Sequence, residues 1–369
     1  MTISALMIEM EDIIAQVRHN CEIADAKSWG TYSICGLLLR LRDQYRWEKG
    51  YKPWIEINHS EILDWVSEKE KSWELFAEEP FQNIKIYDDY YLPFNLDSIN
   101  IAIKSKGLLY GAGFIGGLRP SFFLGYLEKT WREDDFYVYL LDKEIARDIG
   151  AAPSLSQGKD IILRKEPLRY SLWDKFREVK SRKSTTHTEE TALSLGFKAY
   201  GMNNKRIAMI PEEIEADMER IISEELECYL HHELGETYVG SLLGEEWKEL
   251  LCLLPQTRFE HLIRGIKDIM ADTTEKGMLW HIIKHRKIGS LGFYVSQLGG
   301  TRRVIFTDIY DAYKGFIKTG DISLIDNARK AGYEKVKDYS LRLLEIYKKK
   351  EEMGIGWVRQ RIEEMFVLS

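Results

Sequence analysis

Apolar residues recur at intervals of three and four over residues 4–26, at Leu6, Met10, Ile13, Ile14, Val17 and Cys21, which predicts an amphipathic helix with His19 on its polar side. A second helix is expected over about 32–48. It carries Ile34, Leu38, Leu41 and Tyr45 on one face and Leu37 and Leu39 on the flanks, the pattern of a central, heavily covered helix. Asn58-His-Ser-Glu61 has the spacing of a capping box and opens a helix through about Phe76. Short strands follow at 83–88 and 90–92, then a helix capped by Asp97 and closed by Gly107. A strand at 108–110 runs into the densest glycine cluster of the chain, Gly107 to Gly117. Beyond it, Phe122, Phe123, Tyr126, Leu127 and Thr130 fall within an arc of about 140° when wound at 100° per residue, which predicts a short helix over 121–132 starting at Pro120. The unbroken apolar run at 136–141 suits a strand covered on both faces. A short helix at 144–149, a loop and a strand at 161–164 complete this half.

After Pro167 the strand signal ends, apart from an extended piece at 291–295. Helices are expected at about 168–182, 189–200, 212–234, 245–254, 257–271, 274–287, 302–318, 322–331, 334–352 and 356–367, with a polar linker at 180–188. The fold class is therefore α+β and mainly helical: an N-terminal half with a small mixed sheet flanked by helices, and an all-α C-terminal half. Because 369 residues exceed the roughly 250–300 at which single cores stop growing, two domains are expected, 1–182 and 183–369.

Composition narrows the function classes. A formal charge of −7 argues against sequence-independent binding of nucleic acid. Cys21, Cys35, Cys228 and Cys252 lie on apolar helix faces without C-x-x-C spacing, as buried free thiols of a reducing compartment would. Glu9, Glu11 and Asp12 interrupt the first apolar segment and no run approaches 18 apolar residues, so neither a signal peptide nor a membrane span is expected, and a cytoplasmic location is.

The run Trp29-Gly30-x-Tyr32-Ser33-x-Cys35-Gly36-Leu37-Leu38-x-Arg40-x-Arg42, followed by Glu48-Lys-Gly50-x-x-Pro53-Trp54, resembles the opening of a bacterial family known only as uncharacterised. Ala271-Asp-Thr-Thr-Glu-Lys-Gly277 and Gly289-Ser-Leu-Gly-Phe-Tyr294 are similar to later stretches of the same family. This resemblance spans most of the chain and implies no activity.

Two groups of residues carry candidate chemistry. Gly111-Ala-Gly113-Phe-Ile-Gly116 satisfies G-x-G-x-x-G after a strand and stands before Asp142, which resembles the dinucleotide fingerprint of short-chain dehydrogenases. That resemblance implies Gly111, Gly113 and Gly116 against a pyrophosphate, with Arg119 beside them as an anion contact. A helix starting at Gly113 would carry Pro120 in its interior at a cost of roughly 3 kcal/mol. The family's Tyr-x-x-x-Lys matches twice, at Tyr310 with Lys314 and at Tyr333 with Lys337, so neither match is specific. A tight turn or close backbone packing is the competing account, and a dinucleotide cofactor the disfavoured one.

The second group lies on the helix opening at Pro211. Glu225, His232 and Glu236 fall within about 40° of the middle of its apolar face, provided the helix continues past Gly235, while Glu227 and His231 point away from that face. Buried carboxylates must be paired, protonated, metal-bound or facing a cavity. His232-Glu233-Leu234-Gly235-Glu236 resembles the zinc peptidase motif H-E-x-x-H with a glutamate replacing the second histidine, which implies His232 and Glu236 as ligands and Glu233 as general base. His281 and His285, spaced i, i+4, are further candidate ligands for a divalent metal. The expected function is that of a binding or scaffold protein with a groove between the two halves, its partner another protein or a second copy; the alternatives are a metal-dependent hydrolase or oxidoreductase with its site on the helix at 212–236, and a nucleotide-binding protein using Gly111 to Gly116.

Overall fold

A computed structural model describes residues 3–116, 118–182, 191–202, 211–254 and 257–367. Gly117 and most of the expected linker at 180–188 lie outside them. The chain divides into two compact units, Met1–Asp174 and Lys175–Ser369.

The first unit is α+β. Helices α1 (Ile3–Ser28), α2 (Ile34–Glu48) and α3 (His59–Phe76) precede a two-stranded antiparallel ribbon of β1 (Ile84–Ile86) and β2 (Asp89–Tyr91). Asn58 caps α3 through its side chain, which accepts from the Ser60 amide. Next come α4 (Leu96–Ile103) and strands β3 (Leu108–Ile115), β4 (Arg119–Glu133), β5 (Phe136–Arg147), β6 (Ser154–Gln157) and β7 (Asp160–Arg164). They form one sheet in the order β3-β4-β5-β7-β6, in which only β5 and β7 are parallel. Gln157 at one edge donates 2.6 Å to the carbonyl of Ala112 at the other, so the sheet curls until its outer strands meet.

Residues 121–132 are strand, not helix. Phe122 and Leu124 pack with Ile13, Val17 and Cys21 of α1 on one face of the sheet, whereas Phe123 packs with Leu109, Leu141 and Ile162 on the other. A strand buried on both faces presents an unbroken apolar run, and such a run fits a helical arc equally well. Similarly, β5 runs on through 144–147, where a helix was expected, and β6 occupies what reads as loop. Helix α2 is less covered than its pattern predicts: it buries Leu41, Gln44, Tyr45 and Arg46, while Ile34, Leu38 and Leu39 are exposed. Cys21 and Cys228 are buried as expected, but Cys35 and Cys252 are exposed.

α5 (Lys165–Arg182) carries the chain out of the first unit. The second unit is all helical, with α6 (Ala192–Ala199), α7 (Pro211–Cys252), α8 (Arg258–Thr273), α9 (Met278–Lys284), α10 (Ile288–Gln297), α11 (Gly300–Ile305), α12 (Asp308–Thr319), α13 (Ser323–Lys348), α14 (Lys350–Met353) and α15 (Ile355–Val367). The extended piece expected at 291–295 is the middle of α10, where Leu291, Phe293, Tyr294 and Val295 are all buried. No helix of the described residues is long and apolar enough to cross a membrane.

Gly235 does not end α7. The helix continues through it and breaks at Gly244, at φ 70° and ψ −167°. Gly235 is instead a contact point, because a Cβ there would stand 2.4 Å from the carbonyl oxygen of Ala271. The bare backbone lets α8 approach closely enough for side chains on the neighbouring turns of α7 to reach it.

Candidate functional site

The glycine cluster is occupied by the protein itself. Gly111 and Gly113 lie within β3, and β4 follows as the second strand of a hairpin, so the helix N-terminus that a phosphate site needs is not formed there. A Cβ on Gly111 would lie 2.0 Å from the Phe123 ring, and one on Gly113 would lie 2.8 Å from Nε2 of Gln157. Gly116 sits in the connection that follows, and Arg119 opens β4 with its guanidinium 4.3 Å from the Tyr32 ring centroid. Burial lowers the pKa of Arg119, partly offset by Tyr32.

On α7 the polar residues of the apolar face remain on it, but each turn has its own partner. Glu225 is buried and accepts hydrogen bonds from the Tyr200 hydroxyl at 2.8 Å and the Ser290 hydroxyl at 2.6 Å. Burial raises its pKa, against the opposing pull of those two bonds and of Lys175 and Lys287. Two turns on, Nδ1 of His232 lies 2.7 Å from the carboxylate of buried Asp272 on α8. Burial disfavours the imidazolium, but Asp272, then Glu233 and Glu236, outweigh it and push the pKa up to about 10. Glu233 is buried on the same turn. Glu236 pairs with Lys267 of α8, and Asp268 beside them is raised to about 6 by burial and then by Glu236.

Glu225, His232 and Glu236 therefore do not converge. Among the described residues, no group of three or more His, Cys, Asp or Glu side chains is arranged to hold a metal ion. His281 and His285 do not join His232. They lie against the outer side of α7, where the rings of His231 and His281 stack with centroids 4.0 Å apart and those of His281 and His285 are 4.6 Å apart.

A third feature was not foreseen. A cavity of about 990 Å³ opens among α5, α6, α10 and α12, within the second unit. Lys175, Arg303, Lys314 and Lys318 line it, against one lining carboxylate, Glu178. Between the charges lie Leu195, Val295, Leu298 and Ile317, together with the rings of Tyr310 and Tyr313. Arg303 stands 5.3 Å from the Tyr310 ring, whose hydroxyl donates 2.7 Å to the Leu298 carbonyl. Burial lowers Lys175 to about 8, with Glu225 and Glu178 opposing. The Tyr313 hydroxyl is buried without a hydrogen-bond partner among the described residues, and burial pushes its pKa up to about 12.

One sequence signal could have found this cavity. Tyr310, Tyr313, Lys314, Ile317 and Lys318 recur at three and four along α12, so the Tyr310–Lys314 spacing, unspecific as a dehydrogenase motif, marks one helix face. Lys175 and Arg303 enter from other helices, and their convergence is not written in any local pattern.

No curated protein and no solved structure matches the chain. Two models of one family do: the N-terminal domain of a family of unknown function, DUF6866, over residues 12–164, and the C-terminal domain of the same family over residues 169–365. The expected kinship with an uncharacterised family thus holds over nearly the whole length, and the chain belongs to the DUF6866 family.

Proposed function

We propose that the protein is a binding protein whose helical unit takes a small anionic ligand with an apolar or aromatic body. The observation that carries this reading is the concentration of four cations around one cavity in a chain of net charge −7. Cations gathered at a concave, partly apolar surface raise the local concentration of anions, and the low-dielectric wall strengthens each contact. Mixed lining of this kind is what small-molecule sites show, with apolar area for burial and a few charges for orientation. Lys175, whose pKa is lowered to about 8 and which is therefore only partly charged at that pH, gains charge once an anion is present, since the ligand's charge raises its pKa.

Calorimetric titration tests the reading with 4-nitrophenyl phosphate and with neutral 4-nitrobenzyl alcohol. The expected result is saturable one-to-one binding of the phosphate ester, weakened by added salt, and at least about tenfold weaker binding of the alcohol, a gap of about 1.4 kcal/mol. Equal binding of both, or no saturable heat with the ester, would contradict it.

A further inference from the structure

A second cavity, of about 290 Å³, opens in the first unit between the start of α4 and the face of the curled sheet that carries Phe123 and Leu141. Leu109, Tyr139 and Ile162 reach it from β3, β5 and β7, and all three belong to the apolar cluster on that face. The mouths of closed sheets are recurrent places for small ligands.

The amides of its wall are spent on the fold. Asn95 caps α4 by accepting from the Ser98 amide, Asn100 both donates to and accepts from the Tyr110 backbone, and Gln157 donates to the Ala112 carbonyl. The carboxylates of Asp97 and Asp160 are not spent. Among the described residues neither has a cation within ion-pair distance, and no Lys, Arg or His lines the cavity. Asp97 stands in the first turn of α4 and so faces the positive end of that helix, equivalent to about half a unit charge. Asp160 has no such compensation. It precedes Ile162 by two residues and Arg164 by four, so the three side chains lie on one face of β7. At the far end of that row the charge is matched, because Arg164 pairs with Glu144 and lies 4.1 Å from the Phe123 ring. At the cavity end it is left open. Burial and then Asp97 raise the pKa of Asp160, as befits a half-buried carboxylate beside a like charge.

Aromatic rings complete the wall. Tyr139 lines the cavity near the carboxylates, and Phe94, stacked on Phe114 with centroids 5.4 Å apart, borders both the cavity and an apolar hollow at Phe81, Leu92 and Pro93. Ring faces attract organic cations through their quadrupole, and carboxylates attract them through charge.

We propose that this cavity binds a small organic cation, an amine with an apolar or aromatic body, with its ammonium group at Asp160 and Asp97 and its body against Tyr139 and Phe94. The site is separate from the cation-lined cavity of the helical unit and selects the opposite charge.

Calorimetric titration of the full chain with benzylamine, a cation at pH 7, tests the site. Saturable one-to-one binding is expected, weakened by added salt and at least about tenfold tighter than that of neutral benzyl alcohol. Asp160→Asn should weaken it at least about tenfold, and Asp97→Asn, at an exposed position, at least about threefold. Glu74→Gln removes an exposed carboxylate of α3, changes the net charge equally, and should leave the affinity unchanged. Absence of saturable binding at millimolar benzylamine would overturn the site. So would equal affinity for the alcohol, binding that survives both aspartate substitutions undiminished, or an equal loss in Glu74→Gln, the mark of diffuse attraction to an acidic chain.

Discussion

The β3–β4 hairpin and the cavity beside α12 both carry residue types associated with ligands, yet they differ in what stands against those residues. At the hairpin, the space beside Gly111 holds the Phe123 ring and the space beside Gly113 holds the amide of Gln157. At the cavity, four cations line a space of about 990 Å³ with one carboxylate among them. A glycine cluster, like a charge cluster, indicates a ligand only where the protein has not supplied the partner from its own chain. Helix α7 lies between these cases, because Glu225 finds its partners in Tyr200 and in Ser290 of α10, while His232 and Glu236 pair with separate residues of α8, Asp272 and Lys267.

Filling the space beside the glycines should give the largest effect. Gly111→Ala forces a methyl into the Phe123 ring, and overpacking in a closed core costs about 3 kcal/mol, read as a fall in the denaturant midpoint at unchanged slope. A site built for phosphate at that position would instead tolerate the change in stability and lose nucleotide binding.

His232→Gln should follow, at about 3 kcal/mol below neutral pH, because it leaves Asp272 buried without its cation. The folded pKa of about 10 lies above the ordinary value of 6.5, so the stabilisation is complete below pH 6.5 and is lost as pH rises through 10. The deficit of the variant should shrink accordingly across that window in denaturation curves. A pH-independent deficit would mean that the ring acts by packing alone.

Glu225→Gln is expected to change stability by less than about 1 kcal/mol at pH 7. The amide oxygen can still accept from Tyr200 and Ser290, and burial already disfavours the carboxylate. Tyr313→Phe should be smaller still and of opposite sign, a gain of up to about 1 kcal/mol, because it removes a buried hydroxyl that has no partner among the described residues. A loss of stability on that substitution would show that the hydroxyl is bonded.

Much of this was legible in the sequence, for reasons that single elements make plain. The i, i+3, i+4 recurrence at Ile13, Val17 and Cys21 gave α1, and the Asn58 cap gave the start of α3. Strand β4 was not legible because Phe122, Phe123 and Leu124 are all buried, and period is lost when both faces are covered. The polar residues of α7 could be placed on its apolar face by angle alone, yet the angle does not say which helix packs there. For the same reason His231, which reads as pointing away from that face, could not be matched with His281 of α9, whose ring it stacks on.

The central claim is that the cations around the cavity make it a ligand site. Titrating 4-nitrophenyl phosphate into the wild type and into a double variant, Arg303→Glu with Lys318→Glu, measures this most directly. Binding to the wild type should weaken as pH rises through about 8, where Lys175 loses its charge, and should fall at least about tenfold in the double variant at low salt. Equal affinity in the two proteins, independent of pH between 7 and 9, would contradict the account.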